Sequence, residues 1–207
     1  MVGRTLITTA IEQTWPNNKN EPVIFLGEWC RRYNRKSIWK KMNSVLVPYH
    51  WDNRKKLAND YEYLQNLYEY LLLEMSEKMN KIHNTNHDLR YWRILIGPWL
   101  GFFTQMLFDR WYMLKYTIDN YKIARVYVLD RENSLEVPNE MNSFIDLFIN
   151  DDWNEYIYSQ LLKKFWKNSL EIIKVDQVNQ KPITVYQKLN FKQKIKKYLQ
   201  LFTKLNR

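Results

Sequence analysis

Residues 89 to 114 read LRYWRILIGPWLGFFTQMLFDRWYML, and this stretch constrains the fold more than any other. Its uncharged run, Ile94 to Phe108, is about 15 residues long and is broken by Gly97-Pro98, whereas a membrane-spanning helix needs about 20 mostly apolar residues. The run therefore reads as a buried segment of a folded domain. Proline lacks a backbone N–H and steers its preceding residue away from helical dihedrals. The stretch should divide into a short element ending at Ile96, a turn, and a helix with Pro98 in its first turn. Phe102, Met106, Trp111 and Leu114 are expected deep in the structure. Arg90 and Arg93, with Trp92 between them, border the run on one side, and Asp109 and Arg110 close the other. Arginines so placed either form salt bridges at the lip of a core helix or meet an anionic ligand.

A chain of 207 residues with 45% hydrophobic and 16% aromatic residues can bury a sizeable core. Four glycines and six prolines are few, which argues against disorder and against a small turn-rich all-β protein. Cys30 is alone, so no disulfide framework exists, and no basic segment leads into an apolar leader with a cleavage site. The expected compartment is the cytoplasm. The formal charge is +10, of which the last twenty residues, Lys188 to Arg207, carry seven with no acid, leaving +3 for everything before them. A second basic cluster, Arg31, Arg32, Arg35, Lys36, Lys40 and Lys41, is balanced by acids elsewhere. Charge distributed in this way does not describe a uniform polyanion-binding surface.

Leu6 to Ala10, Val23 to Gly27 and Val45 to Tyr49 read as strands, with helical spacing at Ile38, Trp39 and Met42 between the second and third. Strands joined by helical crossovers give a parallel sheet whose ligands gather at the carboxyl ends of the strands, where Glu28 and His50 fall. Asp52 or Asn53 can cap the next helix, in which Leu57, Tyr61, Leu64, Tyr68, Leu71, Met75, Met79 and Ile82 recur by fours and threes. That spacing predicts a core-facing helix roughly 45 Å long, with a coiled coil as the other outcome. Its first turn carries Arg54, Lys55 and Lys56, which oppose the helix dipole unless they are solvated or serve an anion site. Ala124 to Asp130 reads as a fourth strand, Asn139 to Trp166 as helix broken near Asn150-Asp151-Asp152, and Ile172 to Val175 as a last strand. The fold class is α/β, a Rossmann-like parallel sheet with long helices over residues 1–182. A separate basic helix is expected over 183–207.

No metal signature, phosphate loop or GxGxxG occurs, so neither a metal nor a cofactor is expected. His83 and His87 flank the turn signal Asn84-Thr85-Asn86 and read as structural. The segment Pro48-Tyr49-His50-Trp51-Asp52-Asn53-Arg54 places a base, an acid and a cation at a strand-to-helix junction. His50 can move a proton near neutral pH, Asp52 can orient it or cap the helix, and Arg54 can meet a phosphate. Glu28 follows a buried strand and is either a second candidate base or an ordinary lip residue. The acids Asp130 and Glu132 stand two apart, and a charged turn accounts for them.

FLGEWC at 25–30, VPYHWDNR at 47–54 and LRYWRILIGPWLGFF at 89–103, with TTAIEQTW at 8–15, resemble the start of a transferase family found in bacterial O-antigen and surface-polysaccharide loci. The resemblance covers about the first 115 to 130 residues. It implies a glycosyltransferase-like enzyme of the two-domain GT-B kind, using an activated sugar donor and a glycan or lipid-linked acceptor. Members of the family are longer, so this chain looks like the amino-terminal, acceptor-side half. In such an enzyme Glu28 or His50 would be the base, and Asp52, Arg54, Arg90, Trp92 and Arg93 would bind substrate. Two other outcomes stay open: a non-catalytic remnant of a truncated transferase, and a basic nucleic-acid-binding module, which the core spacing of the aromatics argues against.

At the carboxyl terminus Ile195, Tyr198, Leu199, Phe202 and Leu205 recur at helical spacing among Lys192, Lys196, Lys197 and Lys204. A basic amphipathic helix of this kind either lies on the inner face of the membrane, holding the protein peripherally, or packs on another part of the protein.

Overall fold

The computed structural model of the chain describes residues 3–131, 138 and 140–176. Apolar runs at the four predicted strand positions before residue 131, and a fifth after Ser169, pair into one sheet. The strands are β1 (Arg4–Ile7), β2 (Val23–Phe25), β3 (Ser44–Leu46), β4 (Ile123–Asp130) and β5 (Glu171–Asp176). Their order is β3-β2-β1-β4-β5, and every neighbouring pair is parallel. The first crossovers build outward from β1 to β3, and the next returns to the other side of β1. This is a Rossmann-like α/β arrangement with its switch point between β1 and β4, outside whose carboxyl ends ligands gather in such sheets. Leu6, Ile7, Val23, Ile24, Phe25, Val126 and Val128 are buried, as continuous apolar strands covered on both faces require.

Six α-helices occur among the described residues: α1 (Lys36–Trp39), α2 (Arg54–His83), α3 (Leu89–Leu95), α4 (Gly97–Asn120), α5 (Met141–Phe148) and α6 (Asp151–Phe165). The crossover between β2 and β3 differs from the expected helix. It has two 3-10 turns, Glu28–Cys30 and Tyr33–Arg35, and only the four residues of α1. The cause is partly local and partly tertiary: Arg31 pairs with Glu28 and Trp39 Nε1 donates to Arg32 O at 2.8 Å within the segment, while Arg32 and Arg35 are drawn outward to Asp151 and Glu12.

α2 has 30 residues, about 45 Å at 1.5 Å each. Its N-cap is Asn53, whose Oδ1 accepts from Lys56 N at 3.0 Å; Asp52 caps nothing. The buried residues are Leu64, Leu72 and Ser76, with Tyr68 half-buried between them, so a step-of-four row faces the core. The heptad stripe is not the buried face, since Tyr61 and Ile82 are exposed. The helix ends at Asn84, whose left-handed backbone closes the turn, and Asn80 fastens that turn by bonding Thr85, His87 and Trp92.

The division at Gly97-Pro98 is as expected, with Pro98 in the first turn of α4. Met106 and Leu114 are buried and Trp111 is half-buried, but Phe102 is 60% exposed, so the stretch is not buried throughout. The reason is that α2, α6 and the Phe144 ring of α5 cover other sides of α4 and leave that one open. Gly97 lets α4 approach α2 closely, because a Cβ there would lie 2.6 Å from Tyr68 Oη. No described helix is long and apolar enough to cross a membrane. The domain boundary at 182 and the basic helix over 183–207 lie outside the described residues.

Candidate functional site

Three buried ionisable side chains, His50, Asp109 and Glu155, lie at or beside the exits of the strands. β1 leaves through Thr8 and Thr9, whose carbonyls accept from Trp29 Nε1 at 2.9 Å and Trp15 Nε1 at 3.1 Å. These indoles fix the loop beside the switch point, and Gly27 is required there because a Cβ would collide with the Trp29 ring. Beyond β2, Arg31 pairs with Glu28, Arg35 with Glu12, and Arg32 reaches Asp151 at the start of α6. Burial raises the Asp151 carboxyl despite Arg32. Cys30 is fully buried and burial pushes its thiol up to about 12, so it is no nucleophile.

His50 ends the β3 exit in a 3-10 turn, His50–Asp52, and its side chain is 1% exposed. Nε2 lies 3.0 Å from Asp109 Oδ1 on α4, and since a carboxylate only accepts, Nε2 carries a proton. Among the described residues Nδ1 has no hydrogen-bond partner, and Asp60 Oδ2 on α2 stands 3.8 Å away. Asp60 is itself held by Lys56 Nζ at 2.5 Å and Trp51 Nε1 at 2.9 Å. Asp109 Oδ2 accepts from Arg110 at 2.6 Å, and Arg110 Nε donates to Asn154 of α6 at 3.1 Å. Rings enclose the imidazole: Trp51 at 4.6 Å, Tyr112 at 4.8 Å and Tyr49 at 5.2 Å between centroids. Burial first, then the charge of Asp109 and a hydrogen bond to it, hold the Tyr49 hydroxyl above its ordinary range. One network thus ties the β3 exit to α2, α4 and α6.

At the β4 exit Glu155 is 1% exposed, accepts from Leu129 N at 2.9 Å and faces Arg131 Nε at 3.3 Å. Arg131 also meets Asp152 Oδ1 at 3.1 Å. Burial raises the Glu155 carboxyl, against the lowering effect of these donors.

The residues singled out in the sequence do not converge. Glu28 is exposed and tied to Arg31. Asp52 and Arg54 are exposed, Arg54 has no ion pair among the described residues, and neither bonds His50. Asp109 and Asp60 stand where Asp52 was expected to orient the ring. Arg93 is bound to Glu69 through two contacts of 2.6 Å, and Trp92 is buried with its Nε1 3.0 Å from Asn80. Arg90 is exposed. Asn80 is twenty residues beyond Asp60 along α2, about 30 Å, so Trp92 belongs to the far end of that helix. Sequence reasoning missed Asp60 beside His50 and, further out in the network, Lys56 on Asp60, Asn154 on Arg110 and the Tyr49 ring. It had marked Asp109 and Arg110 only as the border of the apolar run. Asp109 did carry a signal, an acid following fifteen uncharged residues on a helix. Among the described residues no cluster of three or more His, Cys, Asp or Glu is placed to hold a metal ion.

A family model described as LIC12162 family transferase matches residues 4–206, and the chain belongs to that family. No curated protein and no solved structure matches it.

Proposed function

From this membership we propose that the protein is a glycosyltransferase-like enzyme of bacterial surface-polysaccharide or O-antigen biosynthesis, its sheet serving as the acceptor-side half of a GT-B arrangement. The donor is an activated sugar and the acceptor a glycan or lipid-linked glycan. The observation that carries the reading is the imidazole of His50 at a strand exit, held through Nε2 by Asp109 while Nδ1 has no hydrogen-bond partner. A base that takes the proton of an acceptor hydroxyl needs one oriented nitrogen and one unused one. Nδ1 is the unused atom, and the Trp51 or Tyr112 ring must shift, or a water must relay, for the hydroxyl to reach it. Cations stabilise the phosphate leaving group in such transfers. Arg54 and Lys55 are exposed at the start of α2, within two turns of Asp60.

The near-complete burial of His50 favours a second reading, in which the network is a strut between α2, α4 and α6 in a non-catalytic protein. One assay separates them. A longer member of the family that carries the donor-side half as well is incubated with a panel of nucleotide sugars and polyprenyl-phosphate-linked acceptors, as wild type and with the residue matching His50 changed to Gln, and release of the nucleotide is followed. Acceptor-dependent release that the change abolishes is expected, and undiminished release from the changed protein, shown to be folded, removes the base role and leaves the strut.

A further inference from the structure

The buried imidazole of His50 stands between carboxylates from two helices, Asp109 of α4 at 3.0 Å from Nε2 and Asp60 of α2 at 3.8 Å from Nδ1. The two contacts differ in kind. Nε2 carries the proton that Asp109 accepts, so Nδ1 of the neutral ring turns a lone pair to Asp60 Oδ2, and two acceptors do not bond. Their separation is accordingly about 1 Å longer than a hydrogen bond. A second proton on the ring reverses the relation. Nδ1–H then donates to a carboxylate oxygen, a charge-assisted bond of about 2.7–2.9 Å, and a small turn of either side chain closes the gap.

The surroundings hold Asp60 ready for that bond. Lys56, one turn earlier on α2, and the indole of Trp51 both donate to Oδ2, at 2.5 and 2.9 Å. On the other side Arg110 pairs with Asp109 and is braced by Asn154 of α6. Lys56 offsets Asp60 and Arg110 offsets Asp109, so these four charges cancel around a neutral imidazole. Tyr112 of α4 lays its ring against His50, with Lys56 Nζ 3.5 Å from the ring centre. The hydroxyls of Tyr49 and Tyr158 are held above their ordinary range, first by burial, and add no charge. We propose that His50 is a proton-operated clasp, bonded to α4 alone when neutral and to α4 and α2 together when charged. Imidazole is the side chain whose ordinary value places this change within about pH 5–8. The start of α2 is then held to α4 more firmly in acid. The clasp does not rest on the transfer reading, since a strut in a non-catalytic protein would work in the same way. In a transferase a proton held at Nδ1 also takes the base out of service.

The test is nitrogen NMR of the full chain labelled with nitrogen-15 at histidine, between about pH 5 and 8. The chain has three histidines, and His50→Gln assigns the buried ring. At the upper end Nε2 should carry the one ring proton, and Nδ1 should gain another as pH falls. Asp60→Asn removes the charge and keeps the size, and should weaken proton uptake at Nδ1 at least about threefold. Lys56→Gln removes the opposing cation from a side chain partly open to solvent, and should strengthen uptake. Damage to packing would move both variants in one direction, whereas the clasp requires opposite directions. Hydrogen exchange of the first turns of α2, corrected for the intrinsic rate, should be at least about threefold slower near pH 5.5 than near pH 7.5 in wild type. In Asp60→Asn it should be equal at the two. The proposal is overturned if Nδ1 holds the proton at the upper end, if His50 gains none at the lower, or if exchange in wild type does not slow. It is overturned too if either variant, shown to be folded, leaves uptake unchanged or moves it the other way. Should Asp60→Asn not fold, Lys56→Gln and the wild-type exchange decide. Neither readout involves turnover, so failure of the clasp and failure of the transfer reading are told apart.

Discussion

At the β4 exit both oxygens of Glu155 have partners, and the guanidinium of Arg131 is shared between Glu155 and Asp152. At the β3 exit the burial is as deep, yet His50 keeps one ring nitrogen without a hydrogen-bond partner among the described residues, between carboxylates from two helices. The contrast teaches that buried charge alone does not mark a site. A satisfied cluster is what a domain needs where a helix meets a strand. An unused atom in an enclosed polar network has a cost of about 1–3 kcal/mol that packing does not explain.

The comparison is broken most directly at Glu155. Glu155→Ala leaves the Leu129 N–H and Arg131 Nε without their acceptor, and should cost about 3 kcal/mol in urea denaturation. A loss under about 1 kcal/mol would mean that the β4 cluster is not the structural one. His50→Gln keeps a donor for Asp109 while removing the imidazole. Transfer should fall at least about a hundredfold, equivalent to about 2.7 kcal/mol of barrier, with a smaller loss of stability than at Glu155. If stability collapses while turnover holds, the two exits are alike and both are struts.

A finer test uses pH. The Glu155 carboxyl is raised by burial, so the folded protein holds that proton more tightly than the unfolded chain. Its contribution to stability is complete below the ordinary glutamate value of about 4.3 and declines as pH rises through the folded value. Glu155→Gln should flatten that part of the stability profile, and an unchanged slope would contradict the cause assigned to the shift. The smallest effect belongs to Asp52, the acid next in sequence to the network but outside it. Asp52→Ala should alter the urea midpoint by no more than about 0.5 kcal/mol of stability, and a larger loss would place Asp52 in the network after all.

Much of the fold was legible because period and length are local properties. Five apolar runs became five strands, the Asn150 break separated α5 from α6, and Pro98 ended one helix and began another. The short basic crossover was misread because helical spacing at Ile38, Trp39 and Met42 says nothing of the acids that draw Arg32 and Arg35 outward from it. Of the candidate site, His50 was legible from its place after a strand, but its partners were not. Asp60 is ten residues away on the next helix and Asp109 fifty-nine away on α4.

By itself the sequence determined the elements, the parallel α/β class and the residues able to do acid–base chemistry, because hydrophobic period, proline and side-chain type act within a few residues. Tertiary structure alone decided which side of α3 and α4 stayed uncovered. It also gave Asp109, in place of Asp52, to His50, and left Nδ1 as the atom without a partner. Those outcomes depend on where α2, α4, α5 and α6 cross, and crossing geometry is fixed by packing between residues far apart in the chain.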